Sequence, residues 1–215
     1  KYWLHPNMLT VNGQKMSKSL GNSFLPAELF DGSHPLLDQG YSPMTVRFSM
    51  LQAHYRSTLD FSNDALKAAE KGYKRLMNAK SALDQITISG TVNNEEEANV
   101  NKLLLATYDA MNNDFNSAQA IAELNEAASL INTWNSLQNK KANIQEHTLL
   151  RLKTLLHHFL FDILGLLEES ENNNEKLNGV MELVIDIRKD ARGKKDFATS
   201  DKIRDALQGV GIQLK

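Results

Sequence analysis

The sequence has no cysteine, four prolines in 215 residues, and no marked surplus of charge: 24 Lys and Arg face 26 Asp and Glu. Without cysteine, neither a disulfide framework nor a thiolate metal site can be built from these residues. That suits a reducing compartment without requiring one. A formal net charge of -2 argues against indiscriminate nucleic-acid binding, although a local basic patch can still serve. No apolar run approaches the roughly 20 residues of a membrane span, and no secretory leader is visible, so a cytoplasmic location with no membrane partner is expected. The first residue is Lys1, which enters directly into "YWLHPNMLTV", and the expectation is a piece of a larger protein.

What is present is a globular composition, 41% hydrophobic, enough for one or two domains. Residues 2–11 read as strand, turn, strand, with Asn7 suited to a left-handed conformation after Pro6. Asn12-Gly13 is a second turn signal. Three of the four prolines fall in residues 20–43, which predicts short helices joined by turns. Beyond Pro43 the periodicity is helical. Met44, Phe48, Leu51 and Tyr55 define one face, and Arg47 and His54 share another. Ser62 is a predicted N-cap for a helix carrying Leu66, Ala69, Tyr73, Leu76 and Leu83. Residues 88–97, "ISGTVNNEEE", are expected to be a mobile polar loop. Val100, Leu104 and Met111 follow, then Asn116 as a cap before Ile121, Leu124, Ala128 and Ile131. Leu149, Leu152, Leu156, Phe159, Ile163 and Leu166 form the most regular stripe.

An acidic, asparagine-rich tract at 168–175 precedes a last pair of helices. Leu177, Val180, Met181, Val184 and Ala191 form one apolar face, and Ile203, Leu207 and Val210 another. Over 186–215 eight Lys and Arg stand against five Asp and Glu, the most basic region of the chain. The expected architecture is mainly α: a short α/β stretch at 1–43, an antiparallel helical bundle at 44–170, and a helical hairpin at 171–215.

The stretch "QKMSKSLGNS" places Lys15 and Lys18 among serines and a glycine. Two ammonium groups on flexible stems suit a polyanion, and small residues let the backbone approach one. A solvated surface turn is the plain alternative. The literal string decides between them, because "KMSKS" resembles the signature loop of class I aminoacyl-tRNA synthetases. The flanking blocks narrow the resemblance: "YWLHPNMLTVNGQKMSKSLGNSF", "TVRFSMLQAHYRSTLDFS", "NNDFNSAQAIAEL" and "ARGKKDFATSDKIRDALQGVGIQL" are similar to cysteinyl-tRNA synthetases, in the right order and over nearly the whole chain. Two small departures are Asn7, where the family often has glycine, and "NNDFN", which is less acidic than the family pattern.

The resemblance implies that Lys18 contacts ATP and stabilises the transition state of adenylate formation, that Lys15 assists, and that Met16, Ser17, Ser19 and Gly21 complete the ATP loop. It implies a class I catalytic domain of Rossmann type ending near residue 43, then a DALR-type tRNA-binding bundle. The implied partners are ATP with Mg2+, L-cysteine and tRNA(Cys), with a monomeric state. Arg47, His54, Arg56, Arg192, Lys194 and Lys195 are candidate tRNA contacts. The family's zinc ligands and its second ATP motif have no counterpart here, and adjacent His157 and His158 lack the i, i+4 spacing of helical ligands. Zn2+ is therefore implied for the complete enzyme and no metal site for this stretch, which alone is expected to be inactive. Two alternatives stand beside this: a tRNA-binding module without activity, and a related cysteine-adenylating ligase with an amino-sugar acceptor.

Overall fold

The computed structural model describes residues 3–169, 174–194 and 196–209. The chain divides into two compact units, residues 1–168 and 169–215. The first begins with a hairpin of β1 (Leu9–Val11) and β2 (Gln14–Lys15). Its turn is Asn12-Gly13, with φ values of 49° and 76°. Both central residues are thus left-handed, as a two-residue turn matching strand twist requires. β1 also pairs in parallel with β3 (Leu59–Phe61), giving the order β2-β1-β3.

Residues 3–8 form no strand, and Asn7 is not left-handed, contrary to expectation. A distant partner overrides the local turn signal: the Asn7 main-chain N–H donates to the Tyr55 carbonyl at 2.8 Å, and its side-chain amide donates to the Arg56 carbonyl at 2.8 Å. In residues 20–43 the structure forms α1 (Pro26–Asp31), preceded by a 3-10 turn at Lys18–Leu20. Val11, Leu29, Leu37, Tyr41, Val46, Phe61 and Leu66 make a small core beneath these elements.

The mainly helical character is borne out. α2 (Pro43–Leu51) starts at Ser42, whose hydroxyl accepts the Thr45 N–H. It ends at Leu51, so His54 and Tyr55 lie in the following loop and share no helical face with Arg47 or Phe48. α3 (Asn63–Gln85) is capped by Ser62 and buries Leu66, Ala69, Tyr73, Leu76 and Leu83, as its spacing predicts. α4 (Asn94–Asn112) and α5 (Ser117–Ser136) pack on each other, and α5 is capped by Asn116.

The polar break expected at 88–97 is partly built into regular elements, with residues 89–93 between them. β4 (Thr87–Ile88) pairs in parallel with β5 (Lys141–Ala142). Asn93 caps α4 with its side-chain oxygen, and Glu95, Glu96 and Glu97 occupy the first turn. Negative charge is favourable there, against the positive end of the helix dipole. α6 (Glu146–His157) widens into π-helical turns at His158–Ile163. Leu149, Leu152, Leu156 and Phe159 are buried as expected, while Leu166 is buried from a non-helical strap.

The second unit holds α7 (Asn174–Gly193) and α8 (Phe197–Gly209), packed on each other. Asp196 caps α8, accepting the Thr199 N–H at 3.1 Å. Ala191 is buried, and Val184, Ile203 and Leu207 are half-buried. The side chains of Leu177, Val180 and Met181, and all of Val210, lie outside the described residues.

Candidate functional site

The lysine loop joins β2 to α1, and its shape follows from a few polar bonds. Ser17 is extended and its hydroxyl accepts the Leu20 N–H at 3.2 Å, which starts the 3-10 turn. Gly21 ends it in the left-handed region at φ 64°, donating its N–H to the Lys18 carbonyl. That conformation costs an L-residue about 1–2 kcal/mol, which is the reason for glycine. Ser19 and Ser17 exchange a hydroxyl hydrogen bond at 3.2 Å. Met16 is half-buried and packs its side chain onto the small core. The loop therefore has an apolar foot and a polar rim.

Asn22 closes the loop from below. Its side chain is buried, with the carboxamide oxygen accepting the Ser17 N–H at 2.8 Å and the amide donating to the Lys15 carbonyl at 3.2 Å. Reading the sequence alone missed this residue. The signal was present as the last letter of "KMSKSLGN", but residue type does not disclose burial. Behind the hairpin, the Asp60 carboxylate accepts the Gly13 N–H at 2.7 Å and the Thr10 hydroxyl at 2.6 Å, fastening the turn beside the loop.

Lys15 and Lys18 are both exposed, and among the described residues neither ammonium has a protein hydrogen bond or ion pair. Two cations held on an ordered loop without internal partners are available to an anion from outside. The other expected cations behave differently. Arg47 donates from Nε to the Leu164 carbonyl at 2.8 Å and so closes the end of the π-helical turns. Arg56 pairs with Asp114, Nε to carboxylate 2.7 Å, and its guanidinium lies 5.4 Å from the Tyr55 ring centroid. His54 approaches the Asp114 carbonyl at 3.2 Å and stacks on Tyr55. The Tyr55 hydroxyl donates to Asp114 at 2.7 Å. These hydrogen bonds, with Tyr55 first and Arg56 after it, outweigh partial burial and hold the Asp114 carboxyl below its ordinary 3.8.

Arg192 and Lys194 are exposed on the second unit, and neither side chain has a partner among the described residues. Lys195 lies outside the described residues. Among the described residues no group of three His, Asp or Glu is placed to hold a metal ion, so these side chains do not fit the implied zinc. No described helix is long and apolar enough to cross a membrane.

The model of the class I tRNA synthetase (C) catalytic domain matches residues 1–71, covering the hairpin, the lysine loop and the start of α3. The DALR domain model matches residues 106–168, from the end of α4 through the π-helical turns. Along its whole length the chain is 47% identical to a cysteine–tRNA ligase of Porphyromonas gingivalis and 48% identical to one of Bacteroides thetaiotaomicron. This stretch matches the C-terminal part of cysteine–tRNA ligases. A more distant ligase, from Chlorobaculum tepidum, is 36% identical over the full chain. The chain spans 43% of the length of the first two relatives and 42% of the third, and corresponds to their C-terminal part. The family likeness thus reaches from the loop into the helices as one continuous match.

Proposed function

We propose that these residues supply the ATP-closing loop and tRNA-binding helices of a cysteine–tRNA ligase. In the reaction, the cysteine carboxylate attacks the α-phosphorus of ATP, the bond to the β-phosphate oxygen breaks, and pyrophosphate leaves. Cysteinyl-adenylate then gives its acyl group to the terminal ribose hydroxyl of tRNA(Cys), and AMP leaves. The carrying observation is the pair of exposed ammonium groups, Lys15 and Lys18, without protein partners on an ordered loop.

Lys18 neutralises the charge that accumulates on the departing pyrophosphate, and Lys15 assists from the end of β2. Such stabilisation acts where charge develops and costs no reorganisation if the donor is held in advance. Ser17, Ser19 and Gly21 keep the turn that carries Lys18, and Met16 anchors it. Mg2+ enters with ATP, as part of the substrate. In the complete enzyme, Zn2+ would serve cysteine selection. A cytoplasmic, monomeric protein is the setting that fits a role in translation.

For tRNA, phosphate contacts through Arg192 and Lys194 have the strongest support, because those cations are unpaired among the described residues. Arg47, His54 and Arg56 already serve protein partners, and contact RNA only at the edge of those interactions.

The test of the catalytic reading is Lys18→Ala in the complete ligase. Pre-steady-state adenylate formation is expected to slow about 100-fold or more, the scale for one preorganised charge. A wild-type rate constant would defeat the assignment. For tRNA, Arg192→Ala/Lys194→Ala is expected to weaken filter binding and flatten its salt dependence, since fewer counterions are released. An unchanged salt slope would remove both residues from the interface.

A further inference from the structure

Resting on the reading just given, we propose that Asn22 is the positioning residue of the lysine loop: its carboxamide fixes the main chain on both sides of Met16 and thereby sets where Lys15 and Lys18 meet the triphosphate. Four polar closures shape this loop. The Ser17 hydroxyl to Leu20, the Ser17–Ser19 hydroxyl pair and the Gly21 N–H to Lys18 all lie inside the turn, and they give it a shape without giving it a direction. Asn22 alone among these closures reaches from the turn to β2, through Ser17 N–H at 2.8 Å and the Lys15 carbonyl at 3.2 Å.

Burial makes the arrangement specific. Asn22 is 7% exposed, whereas both lysines are exposed. A buried carboxamide must satisfy donor and acceptor or bear a desolvation cost, and here each end holds one main-chain group of the loop. Met16 gives a second anchor, but an apolar one, which tolerates rotation about the segment. The directional constraint comes from the amide. An aspartate at this position would keep the acceptor for Ser17, set an anionic oxygen against the Lys15 carbonyl, and bring negative charge towards the triphosphate. Alanine would remove both bonds.

The experiment uses the complete ligase, with Asn22→Ala and Asn22→Asp, and cysteine-dependent ATP–pyrophosphate exchange normalised to adenylate burst amplitude. Each variant is expected to lower kcat/KM for ATP by roughly ten- to a hundredfold, as misplacement by about 1 Å does. The KM for cysteine and the Kd for tRNA hold. In a Lys18→Ala background, Asn22→Ala is expected to cost less than about threefold, because residues acting through one another are non-additive. A full additional loss in that background, or equal losses in cysteine, tRNA and ATP parameters, overturns the proposal and leaves Asn22 a packing residue. If Asn22→Ala fails to fold, Asn22→Asp decides by the same two readouts. If Lys18→Ala is itself as fast as wild type, the catalytic reading fails first, and this inference with it.

Discussion

At the residue scale, Asp114 shows why a charge in a sequence cannot be assigned a role in isolation. It and Phe115 are successive left-handed residues at φ 58° and 54°, a strained pair for residues with a Cβ. The compensation comes from the loop after α2, where Tyr55 and Arg56 bond the Asp114 carboxylate. The pKa of Asp114 is lowered, by Tyr55 first and Arg56 later, against opposing burial. A depressed carboxylate stabilises the fold above its unfolded value of 3.8 and loses that contribution as pH falls through the folded value. Thermal melts of the wild type and Asp114→Asn should therefore differ by a constant Tm offset above about pH 5, shrinking below about pH 3.5. An offset independent of pH would show that the ionised carboxylate is not what matters. In the sequence, His54 and Arg56 looked like free cations, because their partner stands about 60 residues away. Lys15 and Lys18 were legible because their loop is local.

At the scale of elements, starts signalled by one side chain were readable: Ser62 and Asn116 cap α3 and α5 as their spacing predicts. Asn93 performs the same task for α4, but its signal was hidden in "NNEEE", where acidic residues read equally well as a solvated loop. The β4–β5 pair was invisible for a different reason: two-residue strands have no periodicity, and their bonding partners are more than 50 residues apart. Glu97 shows that α4 also organises a distant helix start. Its carboxylate accepts the Gln145 N–H at 2.9 Å and the hydroxyl of fully buried Thr148 at 2.5 Å, just where α6 begins. Glu97→Ala should cost about 1–3 kcal/mol, since it removes the nearer of two partners of a buried hydroxyl and the acceptor of a helix-start N–H together. Glu97→Gln keeps an acceptor and should cost less. Urea midpoints for the two variants check the order; equal losses would mean that charge or packing dominates over hydrogen bonding.

At the scale of the molecule, the first unit contains both apolar cores, whose members run from Leu9 to Leu166. Its last segment is fastened rather than trailing. Arg47 Nε donates to the Leu164 carbonyl, the Tyr73 hydroxyl to the Leu167 carbonyl, and the Leu167 N–H to Met44 Sδ, so α2 and α3 both grip the strap that follows the π-helical turns. Leu164 and Leu166 are 2% and 0% exposed. Residues 1–168 on their own should consequently melt in one cooperative transition with strong helical dichroism. Ending the chain at Ile163 instead removes two buried leucines and all three strap bonds. With each core leucine contributing about 2–5 kcal/mol, that shorter form should lose at least 4 kcal/mol, roughly, of stability or fail to melt cooperatively. Equal melting curves for the two lengths would show that the strap merely covers a core already complete without it, and that Arg47 is free for RNA.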